Sequence, residues 1–249
     1  IKSRIATGTD AAETLRQKAL TVISKLPAES QAAERLQLLR QLQDKDPISK
    51  SALQALESLE GLDGETRARF TLGILEALEQ GNANAIKSVQ ISTLTQKIIN
   101  QSGTDTNLLS QVLSLISTLG KDASSARIDF LKAIENKVVA AKSAREVLER
   151  SLGTENESEM TARILGALTT NNNAELARIQ VSSIISSIER GGGDLNAARE
   201  QLLEAIFKLP NQEQQTQRLL GLKALKEKGD TVAKTALDLD DAFAKASQN

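Results

Sequence analysis

The stretch from Ile74 to Leu119 recurs from Ile164 to Leu209, at an offset of 90 residues. Ile74-Leu75-Glu76-Ala77-Leu78 returns as Ile164-Leu165-Gly166-Ala167-Leu168, and Val89-Gln90-Ile91-Ser92 as Ile179-Gln180-Val181-Ser182. Ile98, Gly103, Ile116 and Leu119 return as Ile188, Gly193, Ile206 and Leu209. Apolar positions and helix stops are what a duplicated helical unit keeps, because each unit buries an apolar stripe against its neighbours.

The ends of the chain extend the pattern. Leu26-Pro27 aligns with Leu209-Pro210 and Arg35-Leu36 with Arg218-Leu219, at an offset of 183. Leu39 and Leu42 align with Leu222 and Leu225 in the same register. At an offset of 92, Arg127-Ile128 stands for Arg35-Leu36, Leu131 for Leu39 and Ile134 for Leu42. This spacing predicts an all-α, elongated array of short helices in roughly two and a half units of about 90 residues. The organisation read from it is a linker over 1–9, helical units over 10–103 and 104–193, and a partial third unit over 194–249. That period exceeds those of tetratricopeptide and HEAT units, whose signature residues are absent.

Composition fits thin helical layers. Aromatics are 2%, with four Phe and no Trp or Tyr, so the core must be built from Leu, Ile, Val and Ala. No β-branched alternating run reads as a strand. Net charge is −1, from 31 basic and 32 acidic residues, which leaves no basic footprint for nucleic acid. No apolar run approaches the length of a membrane span. The chain opens at Ile1 without a signal-like segment and reads as a fragment of a longer protein.

Helix signals punctuate the chain. Asp10, with Glu13 three residues on, predicts a first helix running to Leu26, and a second reaches about Gln43. Asp46-Pro47 pairs a cap with proline at the first helical position. Gly61 and Gly64 interrupt before a helix over 67–79, and Gly81-Asn82 is a turn before one over 83–101. Helices over 108–119 and 123–136 follow, the run from there to Leu152 being continuous or broken. Thr154 with Glu157 predicts a capping box. Asn171-Asn172-Asn173 replaces the Gly81-Asn82 turn, and Gly191-Gly192-Gly193 is a helix terminus. It is not a phosphate loop, having neither a preceding strand nor a following G-K-[ST].

Chemistry is sparse. With neither His nor Cys there is no disulfide, no imidazole base, no thiol nucleophile and no Cys/His zinc site. The expectation is a chain that is not an enzyme and uses no metal or cofactor. The remaining acidic cluster, Asp238, Asp240 and Asp241, flanks Leu239, which should point inward, so the carboxylates read as a solvated face. Two basic stretches, Arg67 with Arg69 and Lys223 with Lys226 and Lys228, read either as polar faces or as partner contacts.

The last helix carries an interaction signal. Val232, Ala236, Leu239, Phe243 and Ala246 fall at spacings of four, three, four and three, an a/d seam. Such a seam either packs on the neighbouring helix or joins two copies as a short coiled coil, and Phe243 so near the end favours a second copy to cover it.

An all-helical region with no aromatics beyond Phe, a seam in its last helix and no catalytic groups resembles the C-terminal domain of the actin-nucleating type III effectors of Vibrio. Ile1-Lys2-Ser3-Arg4-Ile5-Ala6-Thr7-Gly8 is similar to the helical half of an actin-binding WH2 motif, although Thr9-Asp10-Ala11 stands where Leu-Lys-Lys/Arg is expected. The resemblance implies a homodimeric scaffold, secreted by a bacterium into host cytoplasm, that gathers actin subunits for filament nucleation. The other readings are a helical adaptor of a bacterial secretion apparatus, and a carboxylate-dependent hydrolase with a buried acid in a deep pocket.

Overall fold

The computed structural model describes residues 11–246 other than Ser102, Thr104 and Gly192, and their side chains apart from Ala28 and residues 243–246. The described residues form thirteen α-helices and one 3-10 turn, with no strand among them. These are α1 (Ala12–Ile23), α2 (Ala28–Leu42), α3 (Pro47–Glu57), α4 (Gly64–Glu79) and α5 (Ala83–Asn100). There follow α6 (Thr106–Ser117), α7 (Ala123–Ile134), α8 (Val139–Ser151), α9 (Glu157–Thr169) and α10 (Asn173–Glu189). The last three are α11 (Leu195–Phe207), α12 (Asn211–Glu227) and α13 (Thr231–Ala246). The all-α expectation holds.

The chain divides into two compact units, Ile1–Gly103 with Gln111–Ala123, and Thr104–Ser110 with Ser124–Asn249. In the first, α3 packs on α2, α4 and α5. Leu15, Leu20, Leu39, Leu42, Ile74 and Leu78 share one buried cluster there. In the second, α8 packs on α9 and α10, while α12 packs on α10, α11 and α13. Its cluster around Ile184, Leu202, Ile206 and Leu225 is likewise aliphatic. Each such leucine or isoleucine contributes about 1.5–3 kcal/mol through burial, which is how a core forms with almost no aromatic area.

Backbone features recur at the sequence offsets. Pro27 and Pro210 precede α2 and α12, and in each case a glutamine four residues on closes the corner. Gln31 Nε2 donates to the Leu26 carbonyl at 2.9 Å, and Gln214 Nε2 to the Leu209 carbonyl at 2.9 Å. Asn82 Oδ1 accepts from the Ala85 N–H, and Asn172 Oδ1 from the Glu175 N–H, both at 3.0 Å. The turns before these caps need a left-handed residue. Gly81 supplies it at φ 65° and Asn171 at φ 52°, asparagine being among the few side chains that tolerate that region.

Several boundaries differ from expectation. Helix α1 ends at Ile23, and Leu26 closes a turn through its N–H to the Ile23 carbonyl. The predicted cap Asp10 lies outside the described residues. Gly64 opens α4 under the Asp63 cap instead of interrupting. The run from Ala123 to Leu152 is broken: the Lys137 and Val138 N–H groups both turn back to the Ile134 carbonyl. Lys45 and Asp46 do the same to Leu42, so one corner serves two places. The Thr154–Glu157 capping box does not form. Asn156 is the N-cap residue of α9, and the Glu157 carboxylate instead accepts from the Gly153 N–H at 2.7 Å.

Candidate functional site

Helix α13 begins at an ion pair between a buried aspartate and a partly buried arginine. Arg199 Nη1, from α11, donates to Asp230 Oδ2 at 2.6 Å, while Asp230 Oδ1 accepts from the Ala233 N–H at 2.9 Å. This cap fixes the rotation of α13 and turns Ala233 and Leu237 into the core. The predicted seam is thereby turned outward. Val232 is 53% exposed and Leu239 54% exposed, two helical turns apart, with Ala236 partly buried between them. The expectation that Leu239 points inward is corrected: Leu237 holds that place. Phe243 and Ala246 have side chains outside those described. Leu222 and Leu225 do not continue the seam, because they lie buried in α12, and Gly229 at φ 91° separates the helices.

The exposure of this face is unusual for its register. Asp46, Val138 and Asp230 each stand immediately before a helix. The ninth residue after each is Ala55, Val147 and Leu239. Ala55 is fully buried and Val147 is 1% exposed, since α4 and α5 pack on α3, and α9 and α10 on α8. Leu239 alone of the three carries a large side chain into solvent.

Sequence reasoning missed the equivalent ion pair at the start of α3. Arg16 and Asp46 are 0% and 5% exposed and in direct contact. Asp46 also caps α3, accepting from the Ser49 N–H and hydroxyl. Burial pushes the Asp46 carboxyl up, but the hydrogen bonds from Ser49 and Arg16 together with the guanidinium charge outweigh it and hold its pKa below the ordinary value. Arg16 Nε and Nη2 have no hydrogen-bond acceptor. A Cβ on Gly81 would sit 3.3 Å from that Nη2, so the guanidinium lies against the turn closing α4, where its charge also suits a helix C-terminus. Only the Asp46-Pro47 cap was legible in advance. In the middle segment, 90 residues before Arg199 and 92 before Asp230, stand Leu109 and Val138, both buried and both apolar.

The remaining predicted residues are surface groups. Asp238 and Asp241 are exposed, and Asp240 lies 3.9 Å from Arg218. Lys223, Lys226 and Lys228 are exposed on or just after α12, and Arg69 is exposed with its guanidinium 5.1 Å from the Phe70 ring centre. Arg67 borders a groove of about 390 Å³ between α2, α3 and α4. No group of three or more carboxylates fit to hold a metal occurs among the described residues. No helix among them is long and apolar enough to cross a membrane. No family model, no characterised protein and no solved structure matches this chain.

Proposed function

We propose that this protein is a non-enzymatic helical scaffold that self-associates through the outer face of α13 and holds partners on its remaining helical surfaces. The observation that carries this reading is the solvated Leu239, at a register position buried in both other places where it occurs. An a/d face with two large aliphatics and a small residue between them suits helix pairing. An isologous pair would bring two copies of every other surface into one geometry, which is how a scaffold aligns subunits. Actin is the partner that the sequence resemblance implies. Filament assembly measured with labelled actin, in the presence of this protein and of Leu239→Asp, tests the partner: acceleration by the parent chain alone is expected, and equal rates refute it. Sedimentation velocity tests the pairing itself.

A further inference from the structure

Helices α3, α8 and α13 share one register. Lys50-Ser51-Ala52, Lys142-Ser143-Ala144 and Lys234-Thr235-Ala236 stand at the same distance after Asp46, Val138 and Asp230. The face that carries Ala236 and Leu239 in α13 therefore carries Ala52 and Ala55 in α3, and Ala144 and Val147 in α8. Those four are shut off from water. The preceding helix is not what covers them, since α3 packs on α2 and α13 on α12 alike, yet Leu239 stays exposed. What α3 and α8 have in addition is a following helical hairpin, α4 with α5 and α9 with α10.

The second helix of that hairpin runs in the same direction as the helix it covers. Gln180 Nε2 of α10 donates to Glu146 Oε2 of α8 at 3.3 Å. One helical turn further along α8, Arg150 lines a small cavity together with Ile184 and Ser187 of α10. Residue numbers rise together along the two helices, so α8 and α10 are parallel. The place left open on α13 is thus one that a parallel helix fills on α8.

We propose that the α13 helices of two copies lie parallel and in register, the second copy's α13 taking the place that α10 takes on α8. This rests on the self-association reading above and adds its geometry. The face matches itself: about a two-fold running along the helices, Val232 meets Val232, Ala236 meets Ala236 and Leu239 meets Leu239. Two large layers flank a small one, which lets the backbones approach. Lys234, Asp238 and Asp241 lie away from the seam, so pairing does not set these charges against their own copies. A parallel two-fold also brings both Gly229 corners to one end, and each surface of one copy then has its twin facing the same way along the axis.

The chain has no cysteine, so a single introduced thiol reports on its own surroundings. Val232→Cys and Leu239→Cys are made separately in the full chain, at exposed positions about 10 Å apart along the helix, and oxidised. A disulfide needs its two Cα atoms within about 7 Å. In a parallel pair in register both variants meet that condition, and each is expected to double in mass on a non-reducing gel. In an antiparallel pair only a position at the two-fold meets its own copy, so at most one of them crosslinks. Asp238→Cys, exposed on α13 away from the seam, is expected to run as a monomer on the same gel. A parent that sediments as a dimer while only one or neither seam position crosslinks, or while Asp238→Cys crosslinks as fully, overturns the parallel geometry and leaves self-association standing. A parent that sediments as a monomer overturns both.

Discussion

Replacing Arg16 by Leu and Asp46 by Val together should disturb the protein less than either change alone. Arg16→Leu strands a carboxylate that is 5% exposed, leaving it only the Ser49 hydrogen bonds. Asp46→Val leaves a fully buried guanidinium with only the Glu13 carboxylate, 3.8 Å from Nη2, as an anion, its Nε and Nη2 already lacking hydrogen-bond acceptors, and also removes the α3 cap. Breaking a buried pair from one side costs about 3–5 kcal/mol, and the lost cap adds about 1 kcal/mol to the aspartate variant. The double variant removes both charges and places apolar groups where the middle segment already has buried Leu109 and Val138. Its expected loss is within about 2 kcal/mol of the parent, mostly the cap, so the coupling between the two sites should be about 5 kcal/mol or more. Urea denaturation followed by far-ultraviolet circular dichroism measures this, since the chain has no Trp or Tyr to report by fluorescence. A double variant that loses the sum of the two single changes would refute the reasoning.

Other expectations follow from the same geometry. The Asp46 pKa is held below its unfolded value, so its contribution to stability is present above the unfolded value, near pH 4, and is lost as pH falls through the folded one. The urea midpoint of the parent should therefore fall more between about pH 5 and about pH 3 than that of the Arg16→Leu, Asp46→Val variant. Gly221→Ala would place a Cβ 2.3 Å from Cδ2 and 3.2 Å from Cγ of Leu202, a core side chain that is 2% exposed and would have to shift; a loss of about 1–3 kcal/mol is expected by denaturation. Gly166→Ala, within α9 and with nothing within 4 Å of the new Cβ, should instead stabilise by about 0.5–1 kcal/mol. A stabilising Gly221→Ala or a destabilising Gly166→Ala would contradict the packing described.

The helices were legible because their signals are local. Asp46-Pro47 and Asn82 cap helices as their sequence context requires, and Asn171 takes the left-handed turn of Gly81. The rotation of α13 was not legible, because the helix carries two apolar stripes, Ala233 with Leu237 and Val232 with Ala236 and Leu239. Periodicity gives both stripes equal claim to the core. The choice is made by Asp230, whose cap and bond to Arg199 orient the first turn, and that partner is 31 residues away. Arg16 was invisible for the same reason: in a helix of mixed polarity nothing local marks an arginine as buried. The Thr154–Glu157 box failed because a cap depends on where the chain turns, and here the turn at Gly153, φ 71°, draws the Glu157 carboxylate to its own N–H. The groove residues Arg35 and Arg67 are 32 positions apart, and only the packing of α2 and α4 around α3 brings them to one trough.

The self-association of α13 is tested most directly by sedimentation velocity of the parent chain and of Leu239→Asp across micromolar concentrations. A concentration-dependent dimer is expected for the parent, and a monomer of unchanged helix content for the variant, since a side chain that is 54% exposed contributes little to the fold. A parent chain that sediments as a monomer throughout, or a variant that still pairs, would contradict it.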